Sequence, residues 1–357
     1  MQGVVGVLIC CCLQVATAST LHDLAAQIRA VHVVPTNDLV REAPDKETNE
    51  LTAHINGQTS IRVRLSGEGS DWLDPKQYSS SLKSVIVSAV RSHDGPKMCV
   101  VMADSRHSLW DDSGNRHALF EVAGSRRNAM WLLPAMVNLV HAVQHGYDFA
   151  HIQTPFRHPG RHSAWLKLVA MRIILPRYEY VLYLDSDTFF RQPGSPEVIE
   201  NLVAEGQLDR GKIMAATKEN EEYPDIANTG VVALRNCKET YQMLHDWWFS
   251  VVDHKQYIMY KQAWSFEQGA FTWVVYPAYN QSVSLLTLSD WNSPEGKHIQ
   301  HIWSLFSLEE REDFFMNAAA SAMGRLDDFS SSDRGLDPIV ASVRLVKLID
   351  QVLAHKV

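Results

Sequence analysis

Short apolar runs at Met98–Ala103 (MCVVMA), Tyr147–Gln153 and Tyr180–Leu184 (YVLYL) alternate with longer stretches whose apolar residues recur at helical spacing. Runs of this length predict strands buried on both faces, and the stretches between them, Asn128–His145 and Ser163–Leu175, predict helices. Gly146 stands where the first helix would end in a left-handed residue, and Pro176 where the second cannot continue. Strand–helix–strand–helix–strand predicts an α/β fold with a Rossmann-like, mostly parallel sheet and helices on both faces. Ligands of such sheets sit outside the carboxyl ends of the strands.

Downstream, Lys212–Ala216 and Asn228–Arg235 (NTGVVALR) predict strands, and Tyr241–Val252 an amphipathic helix. Phe266–Tyr276 reads as a helix opening on Glu267-Gln268-Gly269, and two more helices are expected at Asp313–Leu326 and Pro338–His355. Residues 19–96 are polar and irregular (EAPDKETNE, SGEGSDWLD), and only Ile61–Leu65 alternates like a strand. The expected organisation is a targeting segment (1–18), a stem or N-terminal extension (19–96), a main domain (97–310), and a C-terminal helical segment (311–357) packed on it.

Val4–Leu13 is unbroken by polar residues, and Ala16-Thr17-Ala18 precedes Ser19. That pattern suits a signal peptide or a short membrane anchor through residues 4–18, and either places the folded part in the secretory pathway. Cys10, Cys11 and Cys12 fall inside this run, while Cys99 and Cys237 read as buried thiols, with one disulfide left open. Asn280-Gln281-Ser282 is a glycosylation acceptor if the chain enters the lumen. A 46% hydrophobic, 21% charged composition is that of a folded globular chain, and a net charge of −8 argues against nucleic acid as a partner.

The run YVLYLDSDTFF ends a predicted strand in two carboxylates, Asp185 and Asp187. Alternation along a strand would aim both at one point, which calls for a cation, a shared proton or open water. A divalent metal bridging the phosphates of a nucleotide-sugar is one reading. Another is a haloacid-dehalogenase-like phosphatase using DSDT, with Asp185 as nucleophile and Asp187 as acid/base. That architecture opens its domain with the motif strand and follows it with an acidic GDxxxD. Here strand–helix units precede the motif, and only Asp327-Asp328 follows, after a helix.

The blocks WLKLVAMRIILPRYEYVLYLDSDTFF, NTGVVALRNCKETYQMLHDWW and FEQGAF, with NLVHAVQHGYDF upstream, resemble glycosyltransferase family 34. The resemblance covers residues 98–305 and is best over 160–275. It implies a GT-A-fold galactosyl-, mannosyl- or xylosyltransferase of the Golgi lumen, using Mn²⁺ or Mg²⁺. Such an enzyme moves a hexose or pentose, with retention, from a UDP- or GDP-sugar to a glycan or glycoprotein acceptor. Carried over, Asp185 and Asp187 become metal ligands, with Asp185 also near the ribose and Ser186 beside the donor. Asp104 falls in the nucleotide pocket, and Lys167 beside the donor. Asn228 and Gly230 line the sugar and acceptor pocket, where the missing side chain of Gly230 would let backbone approach ligand. Glu267 and Gln268 flank the transferring sugar, with Gln268 carrying more of the chemistry.

The family also supplies a late histidine to the metal. In KHIQHIWS both His298 and His301 compete, the following Ile-Trp-Ser favours His301, and the family's Gly-Cys is absent. His162 is a loop histidine within reach of the site, and Trp291 and Trp303 are candidates to stack on an acceptor. His141 and His145 read as last-turn helix residues rather than ligands, because no glutamate completes HExxH. A catalytically silent partner of an active transferase, in a homo- or hetero-oligomer, is the non-enzymatic alternative.

Overall fold

The computed structural model describes residues 28–35, 50–55, 59–64, 83–89, 97–104, 132–153, 160–191, 197–223, 225–303 and 306–322. The expected targeting segment and the Pro338–His355 helix lie outside them. In chain order the strands and helices begin with β1 (Ile28–Pro35), β2 (Glu50–Ile55), β3 (Thr59–Arg64), β4 (Lys83–Ala89), β5 (Met98–Asp104), α1 (Leu132–Gln144) and β6 (Asp148–Gln153). They continue with α2 (Leu166–Ile174), β7 (Tyr180–Leu184), β8 (Thr188–Phe190), α3 (Val198–Ala204), β9 (Met214–Lys218), β10 (Ala227–Arg235) and α4 (Lys238–Asp253). Last come α5 (Phe266–Ala270), α6 (Tyr276–Tyr279), β11 (Val283–Leu286), α7 (Leu288–Trp291), β12 (Ile299–His301) and α8 (Leu308–Ala322).

The main sheet has eight strands in the order β1-β4-β6-β5-β7-β10-β9-β11. Its centre, β6-β5-β7, is parallel as the alternation predicts. β10 runs antiparallel to both β7 and β9, because the connection over residues 219–226 is too short for a crossover. This reversal matters to function, since it lays the start of β10 beside the carboxyl ends of β7 and β9. Two strands come from the segment read as stem: β4 pairs with β6 and β1 with β4, both antiparallel. The sheet thus begins upstream of Met98, through KSVIVSA and IRAVHVVP, whose apolar centres qualify them as strands. The expected Ile61–Leu65 strand appears as β3, paired with β2.

Alternation divides β5 between two layers. Cys99, Val101 and Ala103 join Val181, Tyr183, Val232 and Leu234 in the core that buries α2 and α4. Every residue of α2 is buried, Lys167 and Arg172 included; full burial of each Leu, Ile or Val contributes ~1.5–3 kcal/mol. Arg172 lies over the Tyr241 ring at 4.5 Å, and burial lowers its pKa to about 10. On the other face, the Asn138 amide of α1 donates to Thr188 O (2.8 Å) and accepts from Phe190 N (3.0 Å). His141 stacks on Phe190 at 3.7 Å, and Phe189 meets Phe315 of α8 edge-on. Helix α1 therefore clamps β8, the strand that directly follows the two aspartates.

Gly146 ends α1 at φ 74° as expected, and Tyr147 N closes the turn on Ala142 O at 2.8 Å. Pro176 lies in a 3₁₀ turn, Leu175–Arg177, that caps α2. The single helix expected over Phe266–Tyr276 is instead α5 and α6 joined by a π turn, Phe271–Val275, just before Pro277, which has no N–H to donate. Cys99 and Cys237 are not joined in a disulfide.

Candidate metal and donor site

The chain leaves β7 with one more sheet bond, Asp185 N to Gly230 O at 2.9 Å, and then turns, Thr188 N donating to Asp185 O at 3.0 Å. Strand alternation is therefore not what brings the two carboxylates together, contrary to expectation; the turn over Asp185–Thr188 does. β8 pairs with β12 so that His301 lies opposite Thr188, and Ile302 N donates to Asp187 O at 3.0 Å. Ile299 and His301 share the buried side of β12. Ligand atoms of Asp185, Asp187 and His301 consequently lie within 4.8 Å of one another.

His301 Nδ1 is 2.6 Å from Asn292 Oδ1, and its Nε2 is 3.1 Å from Asp187 Oδ1. An amide oxygen only accepts, so Nδ1 carries a proton, and Nε2 faces a carboxylate oxygen. Two acceptors at that separation need a proton or a metal ion between them. Burial raises the Asp187 pKa, but the neighbouring His301 and Arg311 outweigh it and the net shift is downward. Gly230 makes room for this imidazole: a Cβ there would stand 2.6 Å from His301 Cε1. The reason for its missing side chain is thus the histidine, not the ligand approach that the resemblance implies. His298 points elsewhere, its ring against Trp291 at 4.7 Å. Trp291 is itself buried and offers no stacking face.

The other aspartate has a different partner. Lys167, in the first turn of α2, places Nζ 3.1 Å from Asp185 Oδ1 and 2.7 Å from Glu267 Oε1. It also donates to Thr229 O at 3.0 Å. Burial lowers the Lys167 pKa, yet the two carboxylates overcome it and the net shift is upward. For Glu267 burial wins over Lys167, and its pKa is raised. Its Oε1 accepts from Thr229 Oγ1 at 3.1 Å, while Oε2 is buried with no hydrogen-bond partner.

A third group holds the amides. Glu219 Oε2 accepts from Asn228 Nδ2 (2.6 Å) and Gln268 Nε2 (3.0 Å). Gln268 Oε1 accepts from Thr229 N, and Asn228 Oδ1 from Gly230 N. All these groups meet at a cavity of about 710 Å³, within the range of small-molecule sites. Asp104, His162, Lys167, Asp185, Ser186, Asp187, Asn228, Glu267, Gln268, His301 and Trp303 all line it, whereas Gly230 and the alternatives His298 and Trp291 do not. Five carboxylates, Asp104, Asp185, Asp187, Glu219 and Glu267, face one lysine across its wall.

Sequence reasoning missed Thr229, Glu219 and Asn292. Glu219 directly follows β9 as Asp185 follows β7, so the strand-end rule that found one could have found the other. Asn292 and Thr229 act through contacts from distant segments and carry no local signal.

No protein-family model matches the chain, and no curated protein matches it. Among solved structures it is similar to a glycosyltransferase involved in the glycosylation of the major capsid of PBCV-1. The identity is 16% and the TM-score 0.43, over 62% of this chain and 100% of that one.

Proposed function

We propose that the chain is a metal-dependent retaining glycosyltransferase that moves a hexose or pentose from a UDP- or GDP-sugar to a glycan acceptor. The observation that carries this reading is the acid-rich cavity in which ligand atoms of Asp185, Asp187 and His301 lie within 4.8 Å of one another, His301 Nε2 standing 3.1 Å from Asp187 Oδ1. A diphosphate would be repelled by five carboxylates unless a cation intervened. Asp185, Asp187 and His301 would hold that cation; the carboxylates suit Mn²⁺ or Mg²⁺, and the imidazole tilts the choice to Mn²⁺. When bound, it acts as a Lewis acid on the leaving diphosphate. The motif blocks that resemble family 34 are what suggest the donor class and retention.

The chain's own residues then serve position rather than covalent chemistry. Glu219 and Thr229 fix the Gln268 and Asn228 amides before any ligand arrives, which lowers the ordering cost at the reacting sugar. Lys167 holds Asp185 and Glu267 in place. The secretory-pathway reading rests on the apolar run Val4–Leu13, and in that compartment the exposed Asn280 after α6 would be open to glycosylation. The test is thermal-shift screening of UDP- and GDP-sugars with Mn²⁺, followed by NMR of the product anomer. Retention with a metal-dependent shift is expected. An inverted product overturns the mechanism, and phosphate release from simple phosphomonoesters, lost in Asp185→Ala, points to the phosphatase.

A further inference from the structure

Trp264 is 77% exposed, yet it lines the same cavity as the metal group. Its ring is held edge-on to Phe266, with centroids 5.7 Å apart. Phe266 lies flat on His162 at 3.8 Å and 7°. His162 is fixed in turn, since its Nδ1 accepts from Ala164 N and its backbone N donates to Lys261 O. Phe266 has φ 53°, the left-handed region that a bulky residue rarely occupies. Such conformations persist where surrounding structure enforces them, and they cluster at ligand sites. Ligand pockets are commonly lined by aromatic faces with a few placed polar groups, and Trp264 adds such a face to this one.

The chemistry of the occupant follows from the neighbours. Trp264 stands a few residues before Glu267 and Gln268, so its face adjoins a wall of carboxylate and amide groups. A ligand matching both needs a flat apolar face and a rim of hydroxyls, and a pyranose ring has both. We propose that Trp264, Phe266 and His162 form a stacking subsite for a sugar ring of the acceptor glycan, an inference that rests on the glycosyl-transfer reading.

The test uses the full chain on an array of immobilised oligosaccharides, with calorimetry on the tightest binder in free form. UDP and GDP with Mn²⁺ are titrated separately. Trp264→Ala is expected to weaken the oligosaccharide about tenfold or more, the scale of losing one stacked ring. Trp264→Phe recovers most of it, and nucleotide affinity stays within about twofold, as for independent sites. Equal glycan affinity in Trp264→Ala overturns the proposal, as does a loss confined to the nucleotide, which would make the shelf a base platform. A wild-type chain that binds no oligosaccharide also overturns it. Glycan binding without any nucleotide binding would overturn the transferase reading and leave the subsite standing.

Discussion

Asp185 and Asp187 stand two residues apart, at the same turn and on the same cavity, and they live in different electrostatic worlds. Asp185 is tied to the buried ammonium of Lys167, a fixed cation that also holds Glu267. Asp187 faces an imidazole whose other nitrogen is committed to Asn292. One carboxylate carries its counter-charge in the fold, and the other presents an incomplete pair. On the proposed reading, the contrast divides the cleft into a half that is balanced by a buried lysine and a half that a bound cation would complete.

The largest effect should come from breaking the incomplete half. Asp187→Asn keeps the shape but removes the charge, and we expect transfer to fall about 10³-fold, the upper scale for one positioned electrostatic group. Circular dichroism should be unchanged. An Asp187→Asn enzyme of near-normal rate would erase the distinction between the halves.

Breaking the balanced half should show in stability first. Lys167→Met leaves the buried Glu267 and the half-buried Asp185 without their cation, a loss of ~3–5 kcal/mol, read as a lower denaturant midpoint. Added Mn²⁺ should recover more of it than in the wild type, because the metal then supplies the missing positive charge. A variant as stable as the wild type would mean that the pairs with Lys167 hold nothing in place.

How far these roles were legible follows from how local their causes are. The parallel centre β6-β5-β7 and the two helices between its strands are written in contiguous residues, and the alternation predicts them; it also puts two carboxylates after β7, but the turn that gathers them was not read from it. The place of His301 depends on β12, three residues long and too short to show a period; only its pairing with β8 puts the imidazole beside Asp187. Gly230 was noticed for the right emptiness and the wrong neighbour. The reversal of β10, which lays Asn228 and Thr229 against the ends of β7 and β9, could have been argued from the short connection. The partnership of Lys167 with Thr229 and Glu267 spans three separate segments and needed the fold.

A smaller change sharpens the metal half without touching a ligand. Asn292→Ala removes the acceptor that orients His301 and should weaken Mn²⁺ about 10–100-fold, the usual cost of losing such a partner, measured by paramagnetic titration. Unchanged affinity would mean that Asn292 does not set the ring.

The last effect is small at any one neutral pH and concerns a group that meets no counter-charge among the described residues. Burial, helped by the neighbouring His145, lowers the His141 pKa from 6.5 to about 3. The unfolded chain therefore takes a proton below about pH 6.5 that the folded chain refuses until about 3, so stability is full above 6.5 and falls across that window. His141→Phe should flatten this acid limb by up to about 1.4 kcal/mol per pH unit. An unchanged slope in urea titrations at several pH values would assign the limb to other groups.

The central claim is that Asp185, Asp187 and His301 bind a divalent cation on which the nucleotide depends. Calorimetric titration of UDP and GDP into the wild type and His301→Ala, each with Mn²⁺ or with excess EDTA, tests it most directly. The account predicts binding of one nucleotide by the wild type with Mn²⁺, lost in EDTA and weakened at least tenfold in His301→Ala, about 1.4 kcal/mol or more. Equal binding in EDTA, or full Mn²⁺-dependent binding by His301→Ala, would contradict it.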